Sequence, residues 1–341
     1  MIILSVESTC DETAVALVRD GREILTDQIF SQADLHAVYG GVVPEIASRS
    51  HVEVIYQLAD RAIAAAGIRK SEIDAVAVSF APGLIGAVLV GVNFAKSVAT
   101  ALGVPLIPVH HIRGHMAANY LAYPELTPPF ICLAISGGNS LIVDVRDYTE
   151  MYVMGATRDD AAGECFDKVA RVLGLGYPGG KPLDELSRGG DDGKYRFPVA
   201  KVEGYPYDMS FSGLKTAAIN LIQHAEQTGE KLDLPSLCAS FAKGVSDSLV
   251  PRAIAAVRER GYTRLVAAGG VAANSRIRAD LERAAAEAGV QLYVPPLRLC
   301  GDNGAMVGAQ AYYEFLAGHT AHSDLNAYAS MELSALNGGS V

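Results

Sequence analysis

The sequence predicts an α/β fold built from two similar halves, and three observations carry that expectation. Short apolar runs alternate with segments of helical periodicity along the chain. Ile2 to Gly21 (IILSVESTCDETAVALVRDG) reads as strand, small polar turn, strand, and Phe130 to Tyr148 (FICLAISGGNSLIVDVRDY) repeats that pattern. Each half then carries strand, glycine turn, long helix, strand: Ala75 to Val109 in the first copy and Arg264 to Val294 in the second. A chain of 341 residues exceeds one ordinary core. We therefore expect a first half over 1–108 plus about 305–341, and a second over 109–304.

Taken in order, the amino terminus runs straight into a strand pattern without a basic leader, so no signal peptide is expected. Ile55, Leu58, Ala59, Ala62, Ile63 and Ala66 follow helical spacing and predict a core helix between Val43 and Gly67. The longest uncharged apolar stretch, Gly83 to Ala95, ends at Lys96. It is shorter than the roughly 20 residues that span a bilayer. The stretch after Gly318 is small and polar and is expected to fray. Five scattered cysteines without a CxxC point to a reducing cytoplasm. A net charge of −10 means that any nucleic-acid contact must use a local basic patch or a partner protein. Lys194, Arg196, Lys201 and Lys215 are candidates for such a rim.

Three of the eight histidines cluster in HHIRGH: His110, His111 and His115. On a helix, His111 and His115 lie on one face, a turn apart, so both imidazoles can reach one metal ion. The preceding apolar run VPLIPV places the pair at a strand exit, where α/β folds concentrate their chemistry. A carboxylate from a distant loop would complete the set, and Asp302 in CGDNGA is our choice; a helix-capping role for it is the competing reading.

No GxxxxGK[ST] occurs, so a P-loop is excluded. Paired glycines at Gly137-Gly138, Gly179-Gly180, Gly269-Gly270 and at Asp302-Asn303-Gly304 offer free backbone amides to an anion instead. Two such halves around a cleft describe the architecture shared by actin, sugar kinases and Hsp70 ATPase domains. Asp160, Glu164 and Asp167 follow i, i+4, i+7 spacing and would share a helix face. The helix macrodipole accounts for Asp159 and Asp160, whereas Asp167 lies two turns in and suits ribose hydroxyls, with Asp184 able to join it. Near the amino terminus, Glu7, Asp11 and Glu12 surround the first turn, where a cation would be needed between carboxylates and a phosphate.

In order, the chain contains ESTCDET, YGGVVPEIASRSH, PGLIGAVLVG, HHIRGH, SGGNS, DDAAGECFDKVARVLGLGYPGG, SFSGLKT, GGVAAN and DNGAM. That ordered set, spanning roughly Met1 to Gly318, closely resembles the universal tRNA N6-adenosine threonylcarbamoyltransferase family. The resemblance implies transfer of a threonylcarbamoyl group from threonylcarbamoyl-AMP to N6 of the adenosine after the anticodon, in tRNAs reading codons that begin with A. It implies His111, His115 and Asp302 as ligands of one divalent metal ion, with iron(II) favoured and zinc the alternative. It implies adenylate binding by Ala134, Ile135, Ser136, Gly137, Gly138, Asp167, Gly180, Asp184 and Asn274. It also implies an inactive paralogue and a small ATPase as partners, beside tRNA, and a separate enzyme that makes the adenylate. The family commonly reads SGGHT where this chain has Asn139 and Ser140, so a histidine is missing there.

Because the mixed anhydride is already activated, no covalent enzyme intermediate is required, and Asp11 or Glu12 is a candidate acceptor for the amine proton. An ATP-dependent small-molecule kinase of the same architecture is the alternative; it would not need two histidine ligands. A metallopeptidase is the weaker rival, because Ile112 and Gly114 stand where HExxH or HxxEH requires glutamate. A scaffolding paralogue would be expected to lose the histidines and Asp302, which are all present.

Overall fold

The computed structural model describes residues 1–338 and divides into two compact units, 1–128 with 145–152 and 295 onward, and 129–144 with 153–294. In the first unit, β1 (Ile2–Glu7), β2 (Glu12–Arg19) and β3 (Glu23–Ser31) form an antiparallel meander. The short α1 (Ala33–Ala37) and long α2 (Pro44–Ala66) lead to β4 (Ala75–Ala81), α3 (Ile85–Leu102), β5 (Leu106–His110) and α4 (His111–Ala122). The strand order is β3-β2-β1-β4-β5, with β4 parallel to both β1 and β5.

Both faces of this sheet are covered, so its strands read as nearly continuous apolar runs. Leu4, Val6, Val76 and Val78 pack with residues of α2 and α3. The intervening Ile3, Ala75 and Ala77 pack instead with α4 and with Met306, Val307 and Ala311 of a late helix. This alternation is the period-two signature of a strand.

The second unit holds β6 (Phe130–Ile135), most of β7 (Ser140–Val145) and of β8 (Met151–Ala156), α5 (Ala162–Val172), α6 (Gly180–Ser187), α7 (Ser212–Thr228), α8 (Leu234–Arg260), β9 (Arg264–Ala268), α9 (Ser275–Ala288) and β10 (Gln291–Tyr293). Its strand order, β8-β7-β6-β9-β10, repeats that of the first sheet position for position. The β6–β9 and β9–β10 pairs are parallel like their counterparts. The last helix, α10 (Gly304–Leu316), returns to the first unit.

Three expectations are corrected. The expected boundaries at 108/109 and 304/305 do not match the compact units: α4 packs on α10 and β5, which keeps 109–128 with the first unit, and 295–304 leads into α10 there. The stretch after Gly318 does not fray as far as it is described. Ala321 N–H donates to Leu106 O (2.8 Å), Tyr328 N–H to Phe80 O (3.0 Å), and Leu325 and Leu336 enter the core. Its small polar composition hid a segment held by backbone bonds rather than by its own periodicity. Finally, α3 runs through Lys96 to Leu102 and so is long and apolar enough, by length and composition, to cross a membrane. In the structure it lies against β4 and α2, and Lys96 Nζ donates to Leu325 O.

Candidate functional site

The chain changes from strand to helix at the histidine cluster. His110, the last residue of β5, caps α4: its Nδ1 accepts from Ile112 N–H (3.3 Å), while Nε2 lies 3.2 Å from Met331 O. Burial pushes its imidazole down to about 3, so it is a neutral cap. That leaves His111 and His115, one turn apart with ring centroids 4.6 Å apart. Gly114 between them sits against Met306 of α10.

Asp302 reaches the pair from the turn before α10. Its Oδ1 is 3.1 Å from His115 Nε2 and 3.7 Å from His111 Nε2. The three ligand atoms lie within 4.8 Å of one another. The capping reading of Asp302 is overturned. Asn303 caps α10 by accepting from Met306 N–H (2.8 Å), and Asp27 accepts from Gly304 N–H (3.1 Å).

Glu7, at the end of β1, orients the first histidine. Its fully buried carboxylate accepts from Thr9 N–H (2.7 Å) and Ser79 Oγ (2.5 Å), and its Oε2 lies 3.0 Å from His111 Nδ1. A carboxylate on one imidazole nitrogen directs the other outward, the arrangement that supports metal-bound histidines. Burial alone would lower the His111 pKa, but Glu7 and Asp302 outweigh it and hold it up at about 9. Burial would likewise raise Asp302; His111 and His115 hold it down at about 2.

The donor set fits a metal. Among the described residues neither ring nitrogen of the buried His115 has a well-aligned hydrogen-bond partner, although Nε2 lies 3.1 Å from a carboxylate oxygen. Donor atoms bound at about 2.0–2.2 Å to one ion stand roughly 3–3.5 Å apart, close to the spacing here. Glu12, whose Oε1 accepts from Ser31 Oγ (3.0 Å), is pushed up to about 9 by burial, Asp302 and Asp11. Asp11 is buried beside it.

The second unit gathers the other predicted residues. Ala134 and Ile135 are core residues of β6, so only backbone could serve a ligand there. Beyond them the chain turns at Ser136-Gly137-Gly138, closed by Ser136 N–H to Asn139 O (2.8 Å). Gly137 and Gly138 are exposed, with open space where side chains would stand. Two further glycines bring chain against this turn. A Cβ on Gly163 would lie 2.6 Å from Ser136 O, and one on Gly269 (φ +92°) 2.3 Å from Ile135 O. Ser140 Oγ accepts from Ala162 N–H (2.9 Å) at the start of α5, so the serine in the SGGNS variant has a structural task.

Asp167 Oδ1 accepts from Gly179 N–H (2.8 Å), which ties α5 to the turn before Gly180. Asp184 accepts from Ser275 N–H (2.9 Å) and Oγ (2.8 Å), and Asn274 caps α9 through Arg276 and Ile277 N–H (both 3.1 Å). The shared acidic face is corrected: Asp160 precedes α5 and pairs with Lys168 (2.9 Å) and Lys215. Asp159 caps not its own helix but α7, accepting from Phe211 N–H (2.8 Å) and Ser212 N–H (3.2 Å). The basic rim loses two members, because Lys215 pairs with Asp160 and Lys194 with Asp233 (2.9 Å). The sequence reading picked out Glu7 as a carboxylate of the first turn but not as the partner of His111, and Thr9 and Ser79 escaped it.

Two sheets of matching strand order, with glycine turns at strand ends and a His/Asp cluster, define an actin/Hsp70/sugar-kinase-like protein with a possible metal site. Solved structures share that fold. HypF of T. kodakarensis superposes with TM-score 0.60 at 16% identity, over 93% of this chain and 48% of that one. Component A of the (R)-2-hydroxyglutaryl-CoA dehydratase of Acidaminococcus fermentans gives 0.54 at 15%, over 92% and 98%.

Sequence comparison narrows the class. The family model for tRNA N6-adenosine threonylcarbamoyltransferase matches residues 23–309. Proteins of that name from Caldicellulosiruptor saccharolyticus and Clostridium botulinum are 47% and 46% identical, covering 96% and 97% of this chain and 97% of each relative. The Clostridium perfringens protein of that name is 46% identical over 97% of this chain and 98% of its own. The chain belongs to the tRNA N6-adenosine threonylcarbamoyltransferase family. It is a transferase acting on tRNA, and nothing favours the kinase or peptidase readings.

Proposed function

We propose that this transferase divides its work between the two units. His111, His115 and Asp302 hold a divalent ion, iron(II) in preference to zinc, because two histidines and one carboxylate with open positions suit non-haem iron(II). The Ala134–Gly138 turn, Asp167, Gly180, Asp184 and Asn274 bind the donor, threonylcarbamoyl-AMP. The observation that carries the metal reading is the buried His115 imidazole, without a well-aligned hydrogen-bond partner among the described residues yet clustered with His111 and Asp302. Once bound, the ion would supply a Lewis acid for the carbamoyl oxygen and a counter-charge for the phosphate.

In the reaction, the adenosine N6 amine attacks the carbamoyl carbon. A C–N bond forms, the C–O bond to phosphate breaks, and AMP departs with the electron pair. The amine proton passes to a carboxylate. We assign that task to Asp11 or Glu12, the two carboxylates that follow the β1 turn. Glycine amides at Gly137 and Gly138 orient the phosphate, and alignment of the two substrates supplies much of the rate.

With Lys194 and Lys215 neutralised, tRNA binding draws on exposed Arg196 and Lys201 and on a partner's surface. We place the inactive paralogue on the apolar stripe made by Val52 and Tyr56 of α2 with Ile85 and Leu89 of α3, all exposed. A small ATPase and an adenylate-making enzyme complete the set. Five scattered cysteines without a CxxC favour the cytoplasm as the setting.

The test is single-turnover transfer with supplied adenylate and partners. Folded His115→Ala and Asp302→Ala proteins should lose rate far more than adenylate affinity. Transfer at the parent rate by folded His115→Ala would overturn the metal's role.

A further inference from the structure

Helix α4 carries a charged residue between its two site histidines, and that residue is fully buried: Arg113. At 3.6 residues per turn it stands about 180° around the helix from the midpoint of His111 and His115. Its Nη1 donates to Thr149 O (3.0 Å) and Glu314 Oε1 (3.1 Å), and its Nη2 to Leu333 O (3.0 Å) and Asn337 Oδ1 (2.8 Å). Buried guanidinium groups persist only when paired and hydrogen-bonded, and this one is held by four acceptors from three separate stretches of chain.

Each holder is itself fixed. Glu314 lies on α10, the helix that follows Asp302, and accepts from Gln310 Nε2 (2.7 Å), with His319 Nδ1 at 2.6 Å. Asn337 is bonded to Met151 in both directions, at 3.0 and 2.8 Å. One residue before the first site histidine, His110 is within 3.2 Å of Met331 O. The carboxyl-terminal segment therefore grips α4 on the side away from its histidines.

We propose that Arg113 is a positioning residue for the metal centre. Anchored to Glu314 and to the segment 319–338, it sets the rotation of α4 and so the distances of both imidazoles from Asp302. A rigid turn of the helix would swing His111 and His115 together, whereas Asp302 stays with α10. The inference rests on the reading of His111, His115 and Asp302 as metal ligands.

Cobalt(II) titration followed by visible absorption tests it, on the parent protein, Arg113→Met and Asn337→Ala, with AMP affinity and thermal midpoint measured in parallel. Cobalt affinity should fall about 10- to 100-fold in Arg113→Met, as for other groups that orient ligands, and less in Asn337→Ala. The absorption bands should change, while AMP affinity, which depends on residues of the other unit, should not. If Arg113→Met fails to fold with Glu314 left unpaired, the half-buried Asn337→Ala carries the test alone. Parent-like cobalt affinity and spectra in the folded variants, even with a lower thermal midpoint, would overturn the positioning role. A parent protein that takes up no cobalt would refute the metal centre itself, and this inference with it.

Discussion

Replacing Gly269 by alanine tests whether the second glycine turn shapes the loop proposed to bind phosphate. Gly269 has φ +92° and ψ 167°, a region that side-chain-bearing residues essentially avoid. Strain there costs on the order of 1–3 kcal/mol. The added Cβ would also lie 2.3 Å from Ile135 O and 3.2 Å from Ser136 N, backbone atoms of the strand end that opens into Ser136-Gly137-Gly138. Overpacking against groups that cannot swing away adds roughly 1–3 kcal/mol. The expected loss is therefore about 2–6 kcal/mol, the sum of those two ranges. Each kcal/mol lowers the melting midpoint of a mid-sized domain by about 2–4 °C.

Gly270 provides the control, because its φ is not positive and nothing lies within 4 Å of its Cβ site. Thermal and urea unfolding of both alanine variants, with AMP titration at a temperature where each is folded, gives the comparison. We expect a large loss of stability and weakened AMP binding in Gly269→Ala, and an effect within about 1 kcal/mol in Gly270→Ala. Equal behaviour of the two variants would refute the argument that Ile135 and Ser136 need the bare backbone of Gly269.

Other consequences can be checked alongside it. His111→Ala, His115→Ala and Asp302→Ala should abolish stoichiometric metal uptake by elemental analysis; His110→Ala should weaken it less and cost about 1 kcal/mol through the lost α4 cap. Asp167→Asn should lower AMP affinity roughly ten- to a hundredfold in calorimetry, the worth of one charge-assisted hydrogen bond. Asp280 answers to pH: burial raises its pKa, but Arg276, Ser246 and Arg283 outweigh burial and hold it below the ordinary value. With the folded pKa depressed, its stabilisation is complete above about pH 4 and is lost as pH falls further. Urea unfolding should therefore show parent and Asp280→Asn well separated at neutral pH and converging in acid.

Much of the fold was legible because the two sheets are built from short-range signals. The runs at Ile2–Glu7 and Phe130–Ile135 are mostly apolar, as strands covered on both faces tend to be, and each is followed by a small polar turn. HHIRGH could be placed at a strand exit from the apolar run before it, and its i, i+4 spacing survives in α4. What escaped detection depends on contacts distant in sequence. The segment after Gly318 has no periodicity of its own, yet its carbonyls hold Lys96, His110 and Arg113. Asp159 looked like a local helix-start acid, but the amides it accepts from lie about fifty residues on, at Phe211 and Ser212. The boundary at 108 followed the apparent end of a repeat, whereas the packing of α4 on α10 carries the first unit past it. Glu7 was legible as a carboxylate of the first turn, but only its distance to His111 shows that it orients that ring.

The central claim is that this chain carries a threonylcarbamoyl group onto tRNA, with a metal-ligand cluster in one unit and an adenylate site in the other. Mass spectrometry of tRNA nucleosides after a single turnover tests it most directly, using the protein with its partners, threonylcarbamoyl-AMP and intact tRNA. We predict threonylcarbamoylated adenosine and an equal amount of AMP, only in tRNAs with adenosine after the anticodon, and neither product when Asp302 is alanine. Unmodified tRNA from the complete parent system, accompanied by phosphorylation of a small molecule, would contradict it.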